Sequence, residues 1–348
     1  DKCWECLFRT SGNGEIGFLG QPLRLDVENL EVVSGSGGVF FDVGNVNIGG
    51  VSEDVDGIAT SGGDVHIKST GDVTLNETIS TSEQGNGGAI NLDADNDITI
   101  NERIETDSYV ELKAGRSINI NEDIDTSNGD GDIDLFGNNN EINLANRSDG
   151  KGSINQLDGT TLNAGSGGIN IKLGSLGEVG DINLGNLRTT GEVLVNANGG
   201  NIVRVSESSL INAGSVLLRT SGNGGIGFLG QPLRLDVENL EAVSGSGGVF
   251  FDVGNVNIGG VSEDVVGIST FGGDIDINSA GNVTLNETIS TNEIVENNSE
   301  MASTEKTEDA GGRINIEATG DIVATGSGIK GCLFYTSDAA DDVVGVVV

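Results

Sequence analysis

Proline and cysteine are almost missing from this chain of 348 residues, which has two of the first and three of the second. Proline this scarce excludes collagen despite 57 glycines, since a triple helix needs Gly on a strict period of three with abundant Pro. Cys3, Cys6 and Cys332 all lie outside residues 7–331, so no disulfide framework braces the body of the chain. Cys3 and Cys6 form a C-x-x-C without a second pair or a nearby histidine, which is too few ligands for zinc and the wrong setting for a thioredoxin-like site. Basic residues are few: 17 Lys+Arg against 54 Asp+Glu give a net charge of −37. A surface so negative repels phosphate backbones and anionic lipid, which excludes nucleic-acid partners. No apolar run approaches the ~18 residues of a membrane span, so this segment has no membrane insertion, and no signal peptide is visible. Helical periodicity is absent as well. No stretch of a dozen residues places apolar side chains at i, i+3, i+4 and i+7.

Repetition is what the chain does have. Residues 7–83 and 217–293 align without gaps at an offset of 210, and Arg9–Glu83 differs from its counterpart at 11 of 75 positions. Between and within these copies run short segments of alternating apolar residues, beginning at Val65, Ile90, Val110, Ile133, Ile169, Val193, Val216, Val249, Ile275 and Ile314. Period-2 alternation predicts strands with one buried face. A unit of 20–25 residues cannot bury that face alone and must stack on its neighbours, so the sequence predicts an all-β fold. Its form is a right-handed parallel β-helix, or β-solenoid, of about a dozen such coils. A narrow aliphatic core explains why aromatic residues are only 4%.

Junction residues carry a second pattern. Gly-Asp-[Ile/Val] precedes strands at Gly63, Gly71, Gly131, Gly180, Gly273 and Gly320. We expect tight corners there, with Gly in the left-handed region. The Asn of a recurring Asn-Glu-x-Ile motif (Asn76, Asn101, Asn121, Asn286) is either a solvated turn residue or a rung of a stacked amide ladder. Phe18, Phe40 and Phe41 recur as Phe228, Phe250 and Phe251 in the second copy, so these matched pairs account for six of the ten phenylalanines, and both prolines also fall in the duplicated block. The segment Gly17-Phe18-Leu19-Gly20-Gln21-Pro22-Leu23 is expected to be an irregular coil filled by aromatic side chains, because Phe in a strand pattern is usually core.

The units SGGDVHIKSTGDVTLN (61–76) and GGRINIEATGDIVAT (311–325) resemble the repeats of giant bacterial exoproteins, the filamentous-haemagglutinin-like adhesins and related β-strand-repeat surface proteins. The segment RTSGNGxIGFLGQPLRLDVENL looks like a recurring spacer of the latter. The resemblance covers residues 7 to about 330 and implies an extracellular or cell-surface location and a role in attachment or matrix. It implies surface glycans, surface proteins or biofilm matrix as partners, and no catalytic motif. The chain is expected to divide into a non-matching edge (1–6), a first copy (7–83), intervening coils (84–216), a second copy (217–293), an acidic loop insertion (294–310) and a further coil (311–330). Residues 331–348, with Cys332–Asp341 reading CLFYTSDAAD, resemble the conceptual translation of a transposase sequencing adapter and are set aside from fold reasoning.

Catalytic constellations are thin. The only histidine, His66, is matched by Asp276 in the second copy, which marks a solvent-facing position rather than a base. Carboxylate pairs arise by chance among so many acids. A carbohydrate-active β-helix, lyase or hydrolase, is the alternative to a non-enzymatic structural or adhesive segment. It needs two carboxylates across a sugar cleft, or calcium with clustered basic residues. Low-affinity calcium binding is the one cofactor reading. Asp93, Asp95 and Asp97, and Asp130, Asp132 and Asp134, each crowd oxygen ligands into a short stretch, without matching an EF-hand or the nonapeptide calcium repeat. Their plainer reading is a solvated acidic face.

Overall fold

The computed structural model describes residues 3–82, 87–141, 143, 145–291, 311–325, 329–330 and 332–337. Among the described residues there is no helix, and about 52% of the chain is strand. By its contacts the chain forms two compact units, Asp1–Gly191 and Glu192–Val348. The division falls inside the 84–216 stretch, not at a border of the duplicated block. In each unit the paired strands run parallel, each onto the equivalent strand of the next coil, so each unit is a parallel β-helix.

Unit 1 shows how the repeat closes a coil. Three short strands form three faces. Face A is built from Val39–Val43, Val65–Ser69, Ile90–Ala94, Val110–Ala114, Ile133–Gly137 and Ile169–Leu173. Face B runs through Val46–Ile48, Val73–Leu75, Ile98–Ile100, Ile118–Ile120 and Gly152–Gln156. Face C runs through Ile58–Thr60, Ile79–Ser80, Ile104–Glu105, Ile124–Asp125 and Thr161–Gly165. The register is in phase, so Ile67, Leu92, Leu112, Leu135 and Ile171 stack in one fully buried column. Burial of such side chains at about 1.5–3 kcal/mol each is what closes the coil. A second file of buried hydroxyls lines the corner that returns to face A. Thr81 donates to Thr106 Oγ1 at 2.7 Å, and Thr106 donates to the Gly88 carbonyl at 2.7 Å.

The Gly-Asp junctions work differently from the expectation. None of the six glycines lies in the left-handed region. A Cβ at Gly63 would collide with the Gly37 carbonyl of the adjacent coil, and one at Gly131 with the Ser108 carbonyl. Close stacking of coils, not a positive φ, demands glycine there. The aspartate that follows has its own task. Ala89 N–H donates to Asp64 Oδ1 at 2.8 Å and Gly168 N–H to Asp132 Oδ1 at 2.6 Å, so each carboxylate caps the next coil.

Unit 2 repeats this scheme through Val249–Val253, Ile275–Ser279 and Arg313–Ala318 on its face A, with the same three-strand coil. Each copy has one long strand that the next coil divides: Val27–Ser34 pairs with Val46–Ile48 and Ile58–Thr60, and Leu233–Ser244 with Val249–Val253, Val256–Ile258 and Ile268–Thr270. The aromatic filling is only half as expected. Phe41 and Phe251 are core, but Phe18 is 59% exposed and Phe228 40%. Phe18 and Gln21 exchange backbone hydrogen bonds (2.9 and 3.2 Å) across Leu19-Gly20, so the segment is a tight hairpin projecting from the coil. Gly20 takes the positive φ (+91°) that such a turn needs. The acidic insertion 294–310 lies outside the described residues. Of 331–348, only Cys332–Ser337 is described, and its backbone pairs in parallel with Arg313–Ala318.

Candidate functional site

Because the coils are in register, each outward position becomes a column, with rungs about 4.8 Å apart. On face A of unit 1 one column reads Arg24, Asp42, Lys68, Asp93, Lys113, Phe136, Lys172. Opposite charges alternate over its first five rungs. Beside it runs Phe40, His66, Asn91, Glu111, Asp134, Asn170. Lys113 Nζ lies 2.8 Å from Glu111 Oε1 in its own strand and 5.9 Å from the centre of the Phe136 ring on the next coil. The His66 ring stands 6.4 Å from that of Phe40. Four of the 17 basic residues thus stand in one file of an otherwise acidic chain.

These groups titrate as their surroundings require. Burial raises the Asp93 carboxyl above its ordinary value, against the pull of Lys68 and Lys113 on either side. Burial works to lower Lys113, but its hydrogen bond to Glu111 and the charges of Glu111 and Asp93 hold it above the usual lysine value. Asp134 is raised by burial, helped by Asp132 and Glu111 and opposed by a hydrogen bond from Asn170.

Face B carries a different chemistry. Its central column reads Asn29, Asn47, Thr74, Thr99, Asn119, Asn155, Asn183 and holds no charge. Asn155 donates to Asn119 at 2.9 Å and Asn183 to Asn155 at 2.7 Å. The motif asparagines form the adjoining ladder. Asn101 donates to Asn76 Oδ1 at 3.0 Å and Asn121 to Asn101 Oδ1 at 2.8 Å, while Asn286 accepts from Thr325 at 2.7 Å.

The six aspartates proposed for calcium are not brought together. Asp97 is engaged by Arg116 and by the Ser117 N–H at 2.9 Å, and Asp130 and Asp132 accept from Ser166 N–H (2.8 Å) and Gly168 N–H (2.6 Å). Asp95, buried, accepts from Asn146 at 2.7 Å and so pins the long connection after face A. Asp93 and Asp134 stand in separate outward columns of face A. Among the described residues no group of three or more His, Cys, Asp or Glu side chains is placed to hold a metal. The physical reason is the stacking itself, which turns each acidic junction residue toward a backbone amide of its neighbour.

Composition hid one feature. Glu31 and Glu241 are fully buried, as core residues are, although nothing in their local pattern distinguishes them from the exposed Glu28 and Glu238. Their only sequence signal was the paired glycines of 49–50 and 259–260, unchanged between the copies.

Comparison with protein-family models, curated proteins and solved structures returned no match.

Proposed function

We propose that this chain is a structural and adhesive repeat segment of a large exported bacterial surface protein. It acts as a stalk that binds weakly at many places and performs no catalysis. One observation supports this most: outward side chains recur coil after coil in columns, an alternating charge file on face A and an amide–hydroxyl file on face B, rather than converging on one cleft. Repeated weak contacts gain strength by avidity, with no deep pocket needed. Surface glycans, surface proteins or matrix are the partners such columns suit. The resemblance of residues 61–76 and 311–325 to exoprotein repeats points the same way. The test is binding of the full chain, densely immobilised, to glycan arrays and to whole cells, alongside assays for polysaccharide cleavage. Binding that rises steeply with surface density and falls only slightly with any single column substitution is expected. Specific turnover of a polysaccharide would overturn the reading in favour of a carbohydrate-active β-helix.

A further inference from the structure

Each copy of the duplicated block sends out a loop, residues 49–57 and 259–267, where its long strand divides. Leu30 pairs with Ile48 and Val32 with Ile58, so the residue between them, Glu31, faces a loop instead of a rung. The loop's amides have left the ladder, and two carboxylates replace the acceptors they lost. Val51 and Ser52 N–H donate to Glu31 Oε1 at 2.5 and 2.9 Å. From the coil on the other side, Glu77 accepts from Gly50 N–H at 3.0 Å through Oε1 and from Gly57 N–H at 2.9 Å through Oε2.

Glu31 has 0% exposure, and its second oxygen, Oε2, is buried with no hydrogen-bond partner. A carboxylate oxygen in that condition costs far more than a satisfied one unless a positive charge meets it. The second copy disposes of the same problem differently. Glu241 spends both oxygens, on Val261 N–H at 2.9 Å and Ser262 N–H at 3.0 Å, and burial, with the charge of Glu287 adding to it, raises its carboxyl above the ordinary value. The first copy has an orphaned oxygen in place of that arrangement, and its loop carries Asp56 where the second has Val266.

We propose that Glu31 and Glu77 hold a divalent cation of the calcium class, which fastens the loop 49–57 to the two coils that flank it. Oxygen donors alone favour a hard cation. Two side-chain carboxylates leave the remaining positions to carbonyls and water, which places the affinity among weak calcium modules, with a dissociation constant on the order of 10⁻⁴–10⁻³ M. The inference does not depend on the adhesive reading.

The experiment is a calcium titration of the full chain after chelator treatment, followed by calorimetry and by amide hydrogen exchange. Calcium is expected to bind saturably and to slow exchange at Gly50, Val51, Ser52 and Gly57, with loop 259–267 little changed. Glu31→Gln keeps an acceptor for Val51 and Ser52 but loses the anion, so it should abolish the calcium-dependent protection. Glu77→Gln should do the same from the other side, and Glu241→Gln should leave it intact. Metal-free exchange of loop 49–57 in each variant shows that the loop is still formed. The proposal is overturned if Glu31→Gln and Glu77→Gln chains with formed loops bind calcium as the parent does. It is equally overturned if calcium protects neither loop or both alike, or if only pH, and not calcium, alters exchange at 49–57.

Discussion

The two copies of the duplicated block share a backbone plan but differ in the charge their equivalent faces carry. In the first, Lys68 sits between Asp42 and Asp93 and the neighbouring rung is His66. In the second, Asn278 sits between Asp252 and Glu317, and the neighbouring rung is Asp276. An alternating file has become an acidic one, with no change in register. Nine of the eleven differences between the copies fall at positions 56–83 and their counterparts. Only two replace residues of the buried core, Val32 by Ala242 and Val65 by Ile275, and both remain apolar. Asp72 becomes Asn282, yet each still accepts a backbone amide of the next coil: Asp97 N–H at 3.1 Å, Asp321 N–H at 2.8 Å. The fold therefore needs inward apolar side chains and an acceptor oxygen at the corner. The charge on the outward rungs is free to drift.

The severest way to break the comparison is in the core, where the copies must respond alike. Phe41→Ala and Phe251→Ala each remove a fully buried ring and should each cost about 3–5 kcal/mol. Because stacked coils open locally, native-state hydrogen exchange of the adjoining strands is the measure. A cost confined to one copy would show that the shared sequence does not pack alike. Next come the corner caps. Asp64→Ala and Asp274→Ala strand the amides of Ala89 and Arg313, which now donate to them at 2.8 and 2.7 Å, and should cost about 1–3 kcal/mol. Asp64→Asn should be nearly silent, because an amide oxygen can accept as a carboxylate does, as Asn282 does at the corner that corresponds to Asp72. A large loss with Asn would mean that charge, not an acceptor, holds the corner.

Much of this was legible beforehand. Period-2 alternation at Ile90, Val110 and Ile133 predicts strands whose alternate residues stack inward, and the columns of face A follow once the coils are in register. The asparagine ladder was one of two open readings of Asn76, Asn101 and Asn121, and the hydrogen bonds decide it. Gly63 misled because glycine has two uses, and only the neighbouring coil reveals that close approach outweighs backbone freedom here. Phe18 misled for a similar reason. Its flanking pattern suits a strand, but Leu19-Gly20 turns the chain outward before the ring can pack. The aspartates clustered in sequence do not converge on one point, since Asp93 and Asp134 are outward strand rungs while Asp95, Asp97, Asp130 and Asp132 are corner residues, each taken up by an amide of a neighbouring segment. Glu31 was invisible because burial at a strand's branch point depends on a loop contributed by the next coil.

Restoring the missing cation is a milder change. Asn278→Lys places a positive charge between Asp252 and Glu317 and should stabilise unit 2 by about 0.2–1 kcal/mol, while Lys68→Asn should weaken unit 1 similarly. Both effects should fade in high salt, because these are exposed or half-buried rungs. If they persist in salt, side-chain packing rather than charge is responsible.

The smallest effect is a pH dependence. Burial raises the Asp276 carboxyl above its ordinary value, with Glu317 and Asp252 adding to the rise and Asn315 and Arg313 opposing it. A carboxyl raised in the fold binds its proton more tightly there than in the unfolded chain. Its contribution is therefore fully present below the unfolded value, near 3.8, and is lost as pH rises through the higher folded value. Asp125 runs the other way. Burial would raise it, but hydrogen bonds from Ser127 and Asn163 and the charge of Arg103 hold it low, so its contribution is lost as the medium turns acid. Exchange in Ile275–Ser279 should therefore slow slightly on mild acidification and exchange in Ile124–Asp125 should quicken. Asp276→Asn should remove the first trend and leave the second. If Asp276→Asn leaves both trends in place, the acidic file of the second copy is not what distinguishes its face.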